Sequence, residues 1–194
     1  MLAVLARVLI ASVVASAASA ATLEERLAPC LACHGENGRS ETPEVPSLGG
    51  QPPMFMLIEL YQFRGGQRPG TVMTEFAKDL TDDDLRTFSD ALAALPPPQP
   101  PGPPKDTARY GRGEALAAQH RCGSCHNPDF SGREQIPRLA AQREDYLLKA
   151  LRDYKSGARP GYDPAMAQVL YPLDDSALVD LAHFLAHVAP RAAP

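Results

Sequence analysis

Cys30-Leu31-Ala32-Cys33-His34 is a five-residue motif that returns later in the chain as Cys122-Gly123-Ser124-Cys125-His126. The pattern C-x-x-C-H is typical of c-type haem attachment. Each of the two thiols can add across one vinyl group of the same porphyrin, and the His that follows is placed to bind the iron. The two motifs use all four cysteines. The sequence therefore predicts two covalently bound haem c groups, with His34 and His126 as iron ligands.

A zinc site and a pair of redox-active disulfides are the alternatives for these cysteines. Paired C-x-x-C motifs of a structural zinc site are usually separated by about 15–20 residues, whereas Cys33 and Cys122 are 89 positions apart. A disulfide would leave the His after each pair without a role. Both alternatives stay open, but haem accounts for every residue of the two motifs.

The two motifs belong to an internal repeat that covers residues 22–95 and 109–189. Both copies contain Pro-x-Leu-x-x-Gln and then Gly-x-Arg-Pro-Gly, and both end in apolar residues spaced three or four apart, the period of an amphipathic helix. No alternation of apolar and polar residues indicates a strand. We therefore predict an all-α fold of two tandem domains, each wrapped around one haem.

The segments outside the repeat set the predicted boundaries. Residues 1–20 combine Arg7, an apolar run and Ala18-Ser19-Ala20, which is the pattern of a cleaved secretory signal peptide; an uncleaved membrane anchor is the alternative. We expect the first domain at 21–95 and the second at 109–194. Residues 96–108 form a Pro-rich linker, which should be extended and stiff at about 3.1 Å per residue.

One Met in each copy is placed to close the second side of a haem. Met73 follows His34 by 39 residues, and Met166 follows His126 by 40. A Met thioether is a known axial haem ligand that raises the reduction potential. Because the spacing is repeated, we predict that Met73 and Met166 are axial ligands.

His183 and His187 are spaced four residues apart near the end of the last predicted helix. This spacing could place them on one helix face as a metal pair. The simpler interpretation, which we favour, is that they lie at a helix C-terminus, where cations are stabilised.

Together, these motifs resemble those of the cytochrome c4 family of periplasmic dihaem cytochromes, and the resemblance covers nearly all of the chain after residue 20. It implies that the all-α fold consists of two tandem class I cytochrome c domains. It implies that the carbonyls of Pro46 and Pro137 accept the Nδ1 proton of the haem-binding histidines. It also implies that Arg68 and Arg159 lie near the haem propionates and that the two domains pack face to face. Asn127, which replaces the Gly found after the first motif, and the Pro-rich linker depart from the pattern.

The charge of the chain limits the class of partner. The net charge is −4, so nucleic acid is excluded as an expected partner. Residues 21–95 carry 12 acidic and 6 basic side chains, net −6, and residues 109–194 carry 10 acidic and 11 basic, net +1. Such an asymmetric field can orient a protein on redox partners, and peripheral association with a membrane stays open.

The sequence contains no evident catalytic residues, so we predict an electron-transfer protein rather than an enzyme. The resemblance implies a periplasmic carrier of the respiratory chain that moves electrons one at a time, from a dehydrogenase or cytochrome bc-type donor to a terminal oxidase or another acceptor. The alternative is the electron-transfer cytochrome subunit of a dehydrogenase of the flavocytochrome c sulfide, thiosulfate or alcohol type.

Overall fold

The computed structural model describes residues 21–68, 72–159 and 164–189. Over these ranges the chain is helical, with a single isolated β-bridge and no strand, so the predicted all-α class is confirmed. The predicted signal peptide, at 1–20, lies outside the described residues, as do the Pro-Gly ends of the two Gly-x-Arg-Pro-Gly segments, at 69–70 and 160–161. Among the described residues, no helix is both long and apolar enough to cross a membrane.

The helices fall into two groups that follow the repeat. The first copy contains α1 (Leu23–His34), α2 (Pro53–Arg64), α3 (Met73–Ala77) and α4 (Asp82–Ala93). The second contains α5 (Thr107–Gln119), α6 (Gly123–His126), α7 (Glu144–Ser156), α8 (Ala165–Leu170) and α9 (Asp175–His187). The short helices α3 and α8, which hold Met73 and Met166, were not expected from periodicity because five or six residues are too few to show it.

Polar caps define where the helices begin. The Thr22 hydroxyl accepts a hydrogen bond from the Glu25 backbone N–H at 3.2 Å, and the Glu25 carboxylate accepts from the Thr22 N–H at 2.7 Å. Thr81 and Asp84 repeat this capping box at the start of α4. Each box satisfies backbone donors that a helix leaves unpaired at its N-terminus.

The core of the second copy is built on the crossing of α5 and α9. Gly113 makes the close approach possible, because a Cβ at this position would lie 2.2 Å from the Asp180 carbonyl oxygen. The Phe184 ring meets Tyr110 and Phe130 edge-on, with centroids 5.1 and 5.6 Å away. Fully burying one such apolar side chain contributes about 1.5–3 kcal/mol, so this crossing is a major source of stability for the copy.

The core of the first copy is smaller. Its buried cluster consists of Leu27, Met56, Phe88 and Leu92. The Arg26 guanidinium lies 4.9 Å above the Phe88 ring and forms an ion pair with Asp84 at 2.5 Å. The contact between α1 and α4 therefore depends partly on the Arg26 guanidinium at the surface and not on apolar packing alone.

The Pro-rich segment begins by packing against the first copy. Pro98 is buried, and a Cβ at Gly49 would lie 2.2 Å from the Pro96 carbonyl oxygen. A Cβ at Gly50 would meet the Pro97 side chain at 2.8 Å. The glycines of this copy's Pro-x-Leu-x-x-Gln motif therefore provide the surface on which the chain leaves the first copy.

Candidate haem-binding cavity

The two histidines of the C-x-x-C-H motifs are held in the same way. His34 ends α1, with Nδ1 2.8 Å from the Pro46 carbonyl oxygen, and His126 ends α6, with Nδ1 2.9 Å from that of Pro137. A carbonyl can only accept, so Nδ1 is the donor. The neutral ring therefore keeps its lone pair on Nε2, which is the form that binds a metal.

Burial reinforces this protonation state. Both imidazoles are 5% exposed. Burial lowers the pKa of His34 and of His126, and the hydrogen bond to the Pro carbonyl only partly opposes it. Both rings are consequently neutral around pH 7 and available as ligands.

The cysteines lie on the same helical turns as these histidines. Residues three and four apart on a helix are neighbours on its surface, so Cys30, Cys33 and His34 are presented together on one face. Burial raises the pKa of the Cys30 and Cys122 thiols, while Cys33 and Cys125 are exposed. The arrangement offers two thiols and one imidazole nitrogen to a single planar ligand in each copy.

The residue after each histidine turns the chain sharply. Gly35 has φ of 86°, and a Cβ there would lie 1.9 Å from the Arg39 carbonyl oxygen. Asn127 has a similar φ of 68°, and its amide nitrogen donates to Gly132 O at 2.8 Å and Ser131 Oγ at 2.9 Å. The side-chain hydrogen bonds explain how the second copy makes this turn without a glycine.

One cavity of 610 Å³ receives side chains from both copies. The predicted iron ligands all line it, as do the Pro and Arg residues implied by the family resemblance: His34, Met73, His126, Met166, Pro46, Pro137, Arg68 and Arg159. Of the four cysteines, Cys30 and Cys33 also form part of its wall. The structure thus brings the two candidate ligand sets to a single continuous space.

Two arginines at equivalent positions converge inside this cavity. Arg68 lies over the Phe63 ring and Arg159 over the equivalent Tyr154 ring, each with 4.6 Å from Cζ to the centroid. The Glu59 carboxylate forms ion pairs with both, across the boundary between the copies, and its distance to Arg159 is 2.7 Å. Arg159 is 5% exposed. The single Glu59 carboxylate is therefore shared by two arginines at equivalent positions of the repeat.

Tyr146 extends this cluster from the second copy. Its hydroxyl lies 3.3 Å from Arg159 Nη1. Burial acts to raise the pKa of Tyr146, but the positive charges of Arg159 and Arg68 outweigh it, so the pKa is lowered. The pKa of Arg159 is raised because Tyr146 and Glu59 outweigh the effect of burial. The cluster keeps Arg159 charged beside the cavity.

Two buried glutamines bind the copies together reciprocally. Gln142 Oε1 accepts from the Ser47 N–H at 2.8 Å, and its Nε2 donates to Ser47 O at 2.9 Å. Gln51 Oε1 accepts from the Arg138 N–H at 3.0 Å, and its Nε2 donates to Arg138 O at 3.0 Å. Each glutamine thus pairs with the residue that follows the equivalent Pro in the other copy.

The histidine pair on α9 lies apart from these ligands. His183 Nδ1 is 3.0 Å from Glu144 Oε2 at the start of α7, and His187 Nδ1 donates to the His183 carbonyl at 2.8 Å. One ligand atom from each of these three residues lies within 4.8 Å of the others. The contact with Glu144 connects α9 to α7, which gives the pair a structural role.

The shared charge and the glutamine contacts were not predicted from the sequence. Glu59 breaks the repeat, because Ala150 occupies the equivalent position. This mismatch was the available signal, since a charged residue in one copy alone points to an asymmetric contact. The glutamines were visible as the last residue of Pro-x-Leu-x-x-Gln, but nothing in the motif said that they face the opposite copy.

The helical fold, the two C-x-x-C-H turns and the Pro-backed histidines define a c-type cytochrome. The cytochrome c family model matches residues 110–189. The chain is 32% identical over 142 residues to cytochrome c4 of Thiocapsa roseopersicina, covering 70% of this chain and 73% of that protein. The chain belongs to the cytochrome c4 family. Its residues fit that family's two covalently bound haem c groups, and it is an electron-transfer protein rather than an enzyme.

Two further relatives extend the comparison. A thiosulfate dehydrogenase electron acceptor of Thiomonas intermedia is 30% identical over 183 residues, covering 89% of this chain and 84% of that protein. The solved structure of Acidithiobacillus ferrooxidans cytochrome c4 has a TM-score of 0.75 and 27% identity, covering 83% of this chain and 99% of that chain. Both haem-bearing copies, and not only the second, therefore fall within the shared fold.

Proposed function

We propose that this chain is a periplasmic dihaem cytochrome that carries electrons one at a time between respiratory redox proteins. The observation that carries the proposal is the shared cavity, which is lined by a His and a Met from each copy. Electrons held at two sites on one cavity can pass between them inside the protein. The haem-bearing domains would be residues 21–95 and 109–194, joined by 96–108.

Each copy supplies one set of ligands in this proposal. Cys30 and Cys33 hold the first haem covalently, and Cys122 and Cys125 hold the second. His34 and Met73 bind the first iron, and His126 and Met166 bind the second. When bound, each haem supplies a one-electron couple. The Pro carbonyls fix the imidazoles, and the Met thioethers would be the second protein ligands, which would leave no place for a substrate at either iron.

The cluster of Glu59, Arg68 and Arg159 would sit where the propionates of the two haems approach each other. Two guanidinium groups can each bind a propionate carboxylate through paired hydrogen bonds. Glu59 already bridges the two arginines across the copies. We therefore assign Arg68 and Arg159 to propionate binding and Glu59 to holding both bases at the boundary between the haems.

The periplasmic location in this proposal rests on the N-terminal segment and on the haem chemistry. Residues 1–20 have the pattern of a signal peptide. Covalent haem attachment of this type is completed outside the cytoplasm, as the family resemblance implies. Cell fractionation of the native host, followed by N-terminal sequencing of the purified protein, would test both points. A mature chain that begins near Ala21 in the periplasmic fraction is the expected result.

We consider two classes of partner. A terminal oxidase is the acceptor implied by the resemblance to carriers of the respiratory chain. The second candidate partner is a thiosulfate-oxidising enzyme that would donate electrons to this chain. The similarity to the electron acceptor from Thiomonas intermedia favours this candidate. Rapid-mixing kinetics with each purified partner would separate the two. Reduction by a thiosulfate dehydrogenase at physiological concentrations favours the second candidate, and fast oxidation by an oxidase alone favours the first.

The central experiment is an optical titration of the purified holoprotein, oxidised and reduced, with carbon monoxide added to the reduced form. We expect two low-spin haems, a Met–iron(III) charge-transfer band and no carbon monoxide binding. If one haem binds carbon monoxide readily, the proposed Met ligand is wrong in that copy and an enzymatic role at that iron has to be considered.

A further inference from the structure

A single peptide group connects each haem-binding histidine to the opposite copy. The peptide between Pro46 and Ser47 accepts from His34 Nδ1 at its oxygen, at 2.8 Å, and donates from its N–H to Gln142 Oε1, also at 2.8 Å. The chain of hydrogen bonds therefore runs from an imidazole of the first copy, through one amide plane, to a side chain of the second.

The same chain runs in the opposite direction. The peptide between Pro137 and Arg138 accepts from His126 Nδ1 at 2.9 Å and donates to Gln51 Oε1 at 3.0 Å. The two relays are equivalent under the repeat, and each one crosses the boundary between the copies. A change at either glutamine is therefore felt first by the histidine of the other copy.

The glutamines are fixed in the orientation that the relay requires. Gln142 is 3% exposed and Gln51 is 5% exposed, so water does not compete strongly for their amides. Each Nε2 donates to the backbone carbonyl of the same residue whose N–H the Oε1 accepts. Since a carbonyl cannot donate, the amide cannot be turned over without losing both hydrogen bonds.

Hydrogen bonds in series polarise one another, and the effect is larger in a low-dielectric interior. Withdrawing the peptide proton toward Oε1 makes the Pro carbonyl a stronger acceptor for Nδ1. A stronger acceptor at Nδ1 makes Nε2 a more basic ligand. A more basic ligand stabilises the oxidised iron and lowers the reduction potential.

We propose that Gln51 and Gln142 are positioning residues that set the reduction potential of the haem in the opposite copy, Gln142 acting on the iron bound by His34 and Gln51 on the iron bound by His126. This inference rests on the proposed ligation by the two histidines. It gives the contact between the copies a second role, because the same hydrogen bonds that dock them also tune their irons.

The two relays differ at the glutamine oxygen. Gln142 Oε1 also accepts from the Arg143 backbone N–H at 3.0 Å. An oxygen shared between two donors is a weaker acceptor toward each of them. The hydrogen bond from the Ser47 N–H to Gln142 Oε1 is nevertheless the shorter, at 2.8 Å against 3.0 Å from the Arg138 N–H to Gln51 Oε1. The test therefore depends on which step each variant moves and not on which shift is larger.

The test is a pair of single variants of the holoprotein, Gln142→Leu and Gln51→Leu, which keep the approximate size of the side chain and remove the amide. Potentiometric titration followed by absorbance resolves the two one-electron steps. We expect each variant to raise the reduction potential of one step and to leave that of the other unchanged. The two variants should affect different steps. The step whose reduction potential is lowered by Met73→Ala belongs to the haem of the first copy.

Nuclear magnetic resonance of the reduced holoprotein gives a second readout. In Gln142→Leu, the chemical shift of the His34 Nδ1 proton should change to a value typical of a weaker hydrogen bond. The chemical shift of the His126 Nδ1 proton should stay unchanged. Gln51→Leu should produce the reverse. These shifts follow from the relay and do not depend on electron-transfer activity.

Three outcomes would overturn the inference: no shift in either step, equal shifts of both steps in each variant, or a shift of the haem in the same copy as the altered glutamine. The second of these indicates loosened docking of the copies instead of a relay. Failure of the proposed function would look different, because the wild-type protein itself would then bind carbon monoxide or lack the Met–iron(III) band.

Discussion

The two copies hold their candidate ligand residues in the same geometry, but their hydrophobic cores differ in size. The distance from His Nδ1 to the Pro carbonyl is 2.8 Å in the first copy and 2.9 Å in the second. Arg68 and Arg159 stand at the same 4.6 Å from their aromatic rings. The surrounding packing differs between the copies, so the positions proposed to bind the cofactor agree more closely than the core behind them.

The difference in the core begins at the first helix of each copy. The helix α1 starts seven residues before Cys30, whereas α5 starts fifteen residues before Cys122. The helix α1 therefore begins about two turns nearer to its cysteines than α5 does, and it has no counterpart of Tyr110 and Gly113, through which α5 packs on α9. Four buried residues form its cluster, against 13 in the second copy, among the described residues. The first copy should depend more on its haem and on its neighbour.

Replacing the axial methionines tests the shared geometry and should have the largest effect. Met73→Ala and Met166→Ala each open one sixth position, so each should strongly lower the potential of one haem, within the ~0.8 V range that axial ligands command, and allow carbon monoxide to bind there. Potentiometry and optical spectra measure both. Met54→Ala is the matched control, and a similar loss in that variant would contradict the assignment of Met73.

A glycine pair in α5 tests the stronger core. Gly113→Ala puts a Cβ 2.2 Å from the Asp180 carbonyl oxygen, so we expect it to destabilise the second copy by ~1–3 kcal/mol. Gly111→Ala meets nothing within 4 Å and should instead stabilise the helix by ~0.5–1 kcal/mol. Chemical unfolding of the holoprotein, followed by circular dichroism, measures both. Equal effects of the two variants would show that the α5–α9 crossing does not depend on this close approach.

Glu59→Gln tests the charge that only the first copy supplies. Loss of one negative charge from the cavity should raise the potentials of both haems, in contrast to the single shifts expected for the glutamine variants. Hydrogen bonds to charged groups are worth about 1.5–3 kcal/mol, so stability should fall by a similar amount. Potentiometry and thermal unfolding measure these changes. The exposed Glu24→Gln is the control, and an unchanged pair of potentials in Glu59→Gln would contradict the placement of this carboxylate between the haems.

The ion pair that closes the weaker core should have the smallest effect, and this effect should disappear in acid. The pKa of Asp84 is lowered to about 2 from its ordinary value of 3.8, chiefly by the hydrogen bond from Arg26. Its contribution to stability is present above pH 3.8 and is lost as the pH falls through 2. Asp84→Asn should flatten the loss of stability over this window. Acid titration followed by circular dichroism measures it, with Asp90→Asn on the same helix as the control.

Sequence patterns predicted much of this molecule because its chemistry is local. Cysteine spacing and the helical period of the closing segments depend on neighbours within one or two turns. The all-α fold and the two haems follow from them. The spacing of the methionines was informative only because the chain repeats, and their ligation remains a prediction.

The contacts between the copies lay beyond that kind of inference. Gln51 and Ser47 are read as parts of a motif, but their partners are 87 and 95 residues away. The shared role of Glu59 depends on Arg159, which is 100 residues away. Docking of this kind is decided by the fit of two finished surfaces, and a single sequence does not reveal which buried polar residue will face which backbone.

The reciprocal glutamine contacts have a consequence for ancestry. In an association between identical subunits about a two-fold axis, a residue that contacts a second residue on the partner is matched by the reverse contact. Gln51 with Arg138, and Gln142 with Ser47, obey this rule at equivalent positions. The docking therefore has the form of a homodimer made continuous by duplication and fusion. In such a history, the proline linker would hold the two copies at a high effective concentration.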